Sequence, residues 1–195
     1  MSPGQDDSKP LVGSTTNENV AHVSVFRDSG LDVDAEHYEY EITMLAFTFD
    51  HCRSESDEGS SGQLLNALLE SYLVHTRALT SFYYPTSECK DDVSAKQFTG
   101  KKMDDTNAVA LRLINVRADL NKRLAHITRR RRIKPDDYNL VLIFGDILES
   151  HRRFVEMVDA AHPVQDVFPT IRKLAEGFDE RWGESYRRMA SAPPT

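Results

Sequence analysis

The sequence lacks any apolar run long enough to cross a membrane, and it has few cysteines. A membrane-spanning helix needs about 18 or more consecutive apolar residues, and no stretch of this chain reaches that length. The two cysteines, Cys52 and Cys89, do not have the CxxC spacing of zinc sites. No signal-peptide pattern precedes them. We therefore interpret both as free thiols in a reducing compartment and expect a cytoplasmic protein.

The motifs of several enzyme classes are also missing. No glutamate is followed by a histidine three residues later, which argues against the di-iron site that many helical bundles hold. The chain has no glycine-rich phosphate loop, serine nucleophile elbow or Cys–His arrangement. We therefore predict no cofactor. A mononuclear metal site built from His75, His126 and His151 stays open, but their spacing does not require one.

Charge is distributed unevenly along a chain whose overall net charge is −7. Residues 1–60 have a net charge of −10, whereas residues 117–134 have a net charge of +7. A basic segment on an acidic protein is typical of a surface that binds an anionic partner, such as RNA or an acidic protein. The alternative is that these charges neutralise one another across the folded surface.

Apolar residues recur with the period of an α-helix in five segments. In the first, Tyr38, Ile42, Leu45 and Phe49 are four, three and four residues apart, which places them on one face. The five predicted helices cover residues 34–51, 61–84, 104–132, 135–158 and 166–189. One additional helical turn is expected near residues 93–98. The pattern predicts an all-α fold, an antiparallel bundle of about five helices.

Local signals set the expected boundaries. Asp104 is predicted to cap the third helix, and Pro135 is predicted to be the first residue of the fourth. Residues 54–61 (SESDEGSS) are predicted to form a solvated loop. We expect a flexible acidic N-terminal segment at 1–33, a helical bundle domain at 34–190 and a disordered tail at 191–195.

The third predicted helix contains the leading candidate site, in the segment Leu111–Arg132. It combines Arg117, Asn121 and Arg123 with a single histidine, His126. Histidine transfers protons near neutral pH, and arginine holds phosphate and stabilises developing charge. The alternative is structural: His126, Arg129 and Arg130 lie near the end of the helix, where cations complement the helix dipole.

A second cluster on the second predicted helix comprises Glu70, His75 and Arg77. His75 lies on or beside the apolar stripe, so its ring needs a polar partner. We expect that partner on the third helix, at Asn121 or His126. This contact would be either an internal hydrogen-bond network or a site shared by the two histidines. A further alternative is a small-molecule site in the bundle interior, lined by Tyr72, His75, Phe82 and Phe144.

Two segments, LLNALLESYLVHTRALTSFYY and INVRADLNKRLAHITRRR, resemble the core helices of HEPN-like proteins, which are all-helical bundles. The resemblance covers roughly residues 60–160. Many members of that family are metal-independent ribonucleases that act as dimers, often in toxin–antitoxin or anti-phage systems. Their site combines an arginine, a polar residue and a histidine of one helix. His126 matches the family histidine, but Asp119, Leu120 and Asn121 stand where the arginine is expected.

The resemblance implies two functions. The first is a dimeric interaction module that binds RNA or a protein through its basic 117–134 segment, in a defence or toxin–antitoxin setting. The second is a ribonuclease in which His126 acts as general base on the ribose 2′-hydroxyl. In that case Arg123 or Arg117 would hold the phosphate and Asn121 would orient the substrate. Because the arginine is displaced, we favour the interaction module.

Overall fold

The computed structural model describes residues 31–58, 62–86, 92–124, 138–161 and 169–191. All regular structure within these ranges is helical, which confirms the predicted all-α bundle. The helices are α1 (Asp32–Glu58), α2 (Gly62–Tyr83), α3 (Ala95–Thr99), α4 (Ala108–Leu124), α5 (Leu140–Ala161) and α6 (Pro169–Ala190). Five of them correspond to the predicted helices, and α3 is the expected single turn. No helix in the described ranges is long and apolar enough to cross a membrane.

The core faces follow the predicted helical period. Tyr38, Ile42, Leu45 and Phe49 of α1 are all at most 3% exposed. Their spacing turns one stripe of the helix inward, and burying such a stripe is the main source of stability for a helix of this kind. Leu64, in contrast, is 47% exposed near the start of α2.

Asparagines, and not the predicted residues, cap the two central helices. The side-chain Oδ1 of Asn107 accepts a hydrogen bond from the Ala110 amide at 3.0 Å, so α4 begins after Asn107. Asp104 instead accepts bonds from the backbone and hydroxyl of Thr106. Asn139 caps α5 in the same way, so this helix begins at Leu140 and not at Pro135. Asparagine and aspartate cap about equally well, so the sequence did not identify which one is used.

Helix α1 also extends further than predicted, through much of the segment expected to be a loop. The hydroxyl of Ser54 donates to the carbonyl of Asp50 at 3.1 Å, four residues earlier, and the helix ends at Glu58. Serine in this position bonds back to the preceding turn and so remains compatible with a helix. Composition alone therefore overestimated the length of the connection.

Helix α5 lies at the centre and contacts every other described helix. Near its start Asp146 meets Tyr186 of α6, and further along Arg152 meets Asp179, so α5 and α6 run antiparallel. Cross-helix contacts show the same relation between α1 and α2 and between α4 and α5. This confirms the predicted antiparallel arrangement for these neighbours.

Gly145 permits the closest approach between α5 and α6. A Cβ atom added at this position would overlap the ring of Tyr186, with Cε2 at 2.6 Å. We expect Gly145→Ala to destabilise the fold by about 1–3 kcal/mol through overpacking, although alanine is intrinsically the better helix former by about 1 kcal/mol. Urea unfolding of the variant and the parent measures this difference.

Gly177 in α6 provides the matched control. A Cβ atom there would meet nothing within 4 Å. Only helix propensity then applies, and Gly177→Ala should stabilise the protein by up to about 1 kcal/mol. Stabilisation of the protein by both substitutions would contradict the close packing of Tyr186 on Gly145.

Candidate functional site

Arg117 of α4 is a buried cation. It is 4% exposed, and its Nη1 donates a 2.6 Å hydrogen bond to the carbonyl of Tyr84. Tyr84 directly follows the last residue of α2, where unpaired carbonyls favour a positive charge. A guanidinium has five N–H donors, and this is the one hydrogen bond that Arg117 makes within the described residues. No carboxylate of the described ranges neutralises it.

A cleft of about 390 Å³ opens beside this guanidinium. It lies between the C-terminal part of α2, the segment leading into α3, and α4. Its polar lining consists of Arg77, Ser81, Thr86, Asp92, Ser94 and Arg117. We call it the arginine cleft. Burial lowers the pKa of Arg117, but arginine stays charged at neutral pH. Among the described residues, two guanidinium groups and one carboxylate therefore line the cleft.

The other predicted catalytic residues of this helix have different surroundings. Arg123 pairs with Asp119, with Nε and Oδ2 2.8 Å apart, and its guanidinium lies 5.5 Å from the centre of the Tyr138 ring. Asn121 is exposed. Arg117 faces the end of α2, whereas Arg123 lies next to Tyr138, so the two arginines do not share partners.

Three predicted site residues, His126, Arg129 and Arg130, lie outside the described residues. Their proposed roles therefore stay predictions.

Within the described residues, the partner of His75 is not the predicted Asn121, and the other predicted partner, His126, lies outside them. Nδ1 of His75 lies 2.8 Å from Oε2 of Glu41, which is on α1 and not on α4. The Tyr40 ring lies edge-on at 6.1 Å. His75 is 8% exposed, as expected for a polar residue beside an apolar stripe. A residue on such a stripe needs a partner, but the stripe does not show which helix provides it, and α1 packs along this side of α2.

Glu70 and Arg77 project from the outer side of α2 together with Val74. Both charged residues are exposed, and neither forms an ion pair with another described residue. Val74 is 50% exposed. On the adjacent α1, Tyr40 is 58% exposed and Phe47 is 49% exposed. We call these five residues the α1–α2 face. Exposed apolar side chains bordered by charges are typical of a protein-binding surface where they form one continuous patch.

Two buried polar networks stand out that the sequence did not predict. In the first, the Tyr38 hydroxyl lies 2.6 Å from both the Tyr83 hydroxyl and Nδ1 of His151. Burial raises the pKa values of Tyr38 and Tyr83, so both hydroxyls are neutral at physiological pH. The sequence signal that could have indicated this network was the presence of tyrosines in the apolar stripes, because a buried hydroxyl needs a hydrogen-bond partner.

The second network connects α4, α5 and α6. Arg112 binds the buried Asp146 through two hydrogen bonds, at 2.8 and 2.6 Å, and the Tyr186 hydroxyl donates to the same carboxylate at 3.0 Å. This bidentate geometry is the strong form of an arginine–carboxylate pair. Each network joins three helices through buried side chains, which is typical of a structural role.

The described residues contain no group of three or more His, Cys, Asp or Glu side chains that could hold a metal ion. Cys52 is a buried thiol, and burial raises its pKa to about 11. A thiol with this pKa is a poor nucleophile at neutral pH. Cys89 lies outside the described residues.

Comparisons with protein-family models, curated proteins and solved structures find no significant match to this chain.

Proposed function

We propose that this protein is an interaction module that self-associates as a homodimer through its α1–α2 face. The observation that carries the proposal is the exposure of three large apolar side chains, Tyr40, Phe47 and Val74, each about half or more exposed. Tyr40 and Phe47 are seven residues apart, which places them almost in line along α1. Aromatic side chains are enriched in protein interfaces, where they contribute much of the binding energy.

The charges beside Val74 make this face self-complementary. Glu70 precedes Val74 by four residues and Arg77 follows it by three, so all three lie on one side of α2. In a dimer with a two-fold axis near Val74, α2 of one copy would lie antiparallel to α2 of the second copy. Glu70 would then lie opposite Arg77 of the partner subunit, and the pair would occur twice. Closed two-fold symmetry is the commonest arrangement of homo-oligomers.

A charge exchange tests this arrangement. Glu70→Arg places like charges opposite each other in a homodimer, and so does Arg77→Glu. Because like charges across an interface suppress pairing, we expect each single variant to be a weaker dimer than the parent. An equimolar mixture of the two restores both opposite-charge pairs and should form a heterodimer. Sedimentation velocity over a range of concentrations, with one variant fluorescently labelled, measures these states.

An apolar substitution separates the dimer from the fold. Val74→Asp should give a folded monomer, because the side chain is half exposed in the single chain. Its thermal unfolding should match that of the parent at concentrations where the parent is dissociated, since dimerisation itself stabilises the native state. Leu111→Asp is the matched control, since Leu111 is also 50% exposed but lies on α4. It should leave the dimer intact. A parent that is monomeric up to high micromolar concentration would contradict the proposal, as would equal effects of the two aspartate variants.

The remaining parts of the functional hypothesis rest on sequence patterns alone. These are the HEPN-like family, the cytoplasmic location, the defence or toxin–antitoxin setting and a partner bound by the basic 117–134 segment. The ribonuclease alternative depends on His126, which lies outside the described residues. In the described part of α4, the ion pair of Arg123 with Asp119 favours a structural role for that arginine.

A further inference from the structure

We infer that the arginine cleft binds a small phosphate monoester that also has a hydroxyl group. The inference goes beyond the proposed dimer. It starts from Arg117, which is 4% exposed and lines the cleft with N–H donors that make no hydrogen bond to another described residue. Buried charges in proteins are normally paired. The Tyr84 carbonyl offers a partial negative charge but not a full counter-ion.

The lining suits a phosphate group. Arg77 lines the same cleft as Arg117, and two guanidinium groups can hold several oxygens of one phosphate through charge-assisted bonds. Ser81, Thr86 and Ser94 supply hydroxyls that can donate to the remaining oxygens. Because one wall is a buried cation, the electrostatic interaction there is screened less than on an open surface.

Two features indicate more than a bare phosphate ion. The volume of about 390 Å³ falls in the range of about 300–1,000 Å³ that is typical of small-molecule sites. Asp92 also lines the cleft, and its carboxylate accepts hydrogen bonds but repels an anion. A ligand with a hydroxyl beside its phosphate would satisfy both the arginines and Asp92. Glycerol 3-phosphate is the simplest probe with these groups.

Calorimetric titration of the full chain with four probes tests the inference. The probes are glycerol 3-phosphate, inorganic phosphate, glycerate and glycerol. We expect glycerol 3-phosphate to bind most tightly, and glycerate to bind roughly tenfold or more weakly because its carboxylate has one charge and fewer acceptor oxygens. Glycerol should not bind. Equal binding of glycerate would overturn the phosphate assignment, and no binding of any anion would overturn the site.

Variants locate the binding. Arg117→Met and Arg77→Gln should each weaken glycerol 3-phosphate binding about 10- to 100-fold, the loss expected for a charge-assisted contact. Arg188→Met is the control, because this arginine is 79% exposed on α6. Arg77 is exposed, so its variant tests the site even if Arg117→Met unfolds. Equal binding by all three variants and the parent would place the ligand elsewhere.

Asp92→Asn tests the assignment of the hydroxyl. Removing the negative charge should strengthen binding of inorganic phosphate, whereas the preference for glycerol 3-phosphate over inorganic phosphate should shrink. An unchanged preference would show that Asp92 does not contact the hydroxyl.

Two variants distinguish this inference from the proposed dimer, because Arg77 belongs to both the α1–α2 face and the cleft. Arg117 is buried on α4 and lies outside that face, so Arg117→Met should weaken ligand binding about 10- to 100-fold without changing the sedimentation of the dimer. If the dimer proposal is wrong, Val74→Asp should sediment like the parent. This variant should still bind the ligand, because Val74 does not line the cleft.

Discussion

Replacing Arg112 by methionine is expected to lower the free energy of unfolding by about 3–5 kcal/mol. The substitution leaves the Asp146 carboxylate, whose side chain is 2% exposed, with only the Tyr186 hydroxyl as partner from the described network. An ionised carboxylate in such a site costs more than the lost contact itself, because the guanidinium no longer compensates its desolvation. Urea unfolding at neutral pH measures the loss.

The same variant has a predictable pH dependence. Burial raises the pKa of Asp146 above its ordinary value near 3.9, and the hydrogen bonds and charge of Arg112 oppose that rise. For a carboxyl group with a raised folded pKa, the folded state binds more protons than the unfolded state. Stability is therefore highest below the ordinary pKa and falls as pH rises through the folded value. Without Arg112 the pKa rises further, so the destabilisation should grow from about pH 4 to pH 7.

A double variant isolates the charge. Arg112→Met with Asp146→Asn keeps an acceptor for the Tyr186 hydroxyl but removes the ionisable group. It should be more stable than the single variant at neutral pH, and their difference should vanish in acid. A single-variant loss that is the same at both ends of this pH range would show that the buried charge is not its cause.

Tyr38→Phe is expected to destabilise the protein by about 2–6 kcal/mol, because two buried groups each lose a partner worth about 1–3 kcal/mol. The hydroxyl of Tyr38 lies 2.6 Å from both His151 and Tyr83. The ring contacts remain, since phenylalanine can still stack on Phe82 at 4.6 Å. The loss therefore measures hydrogen bonding alone, and thermal or urea unfolding quantifies it.

The controls for Tyr38 follow from the network. Tyr38→Phe combined with Tyr83→Phe removes one of the two unpaired groups, so the double variant should be more stable than Tyr38→Phe. Tyr40→Phe, two residues along the same helix, changes a side chain that is 58% exposed. Its effect should stay within about 0.5 kcal/mol. Equal losses for Tyr38→Phe and Tyr40→Phe would rule out the buried network as the cause.

Helices and core faces were predictable because they depend on spacing along the chain. Tyr38, Ile42, Leu45 and Phe49 share a face of any α-helix, whatever packs against them. Boundaries were less predictable, because several residues near each end can cap. Asp104 was predicted to cap one helix and Pro135 to be the first residue of the next, whereas Asn107 and Asn139 cap these helices in the structure.

By itself the sequence determined the helical class and the apolar stripes, since both follow from local periodicity. It also determined that a buried polar residue such as His75 needs a partner, because burying an unpaired polar group is costly. Only the tertiary structure decided that this partner is Glu41, that Arg112 meets Asp146, and that Arg117 lies beside a cleft with Arg77. These contacts join residues far apart in the chain. They depend on which helix faces encounter each other, and no local pattern contains that information.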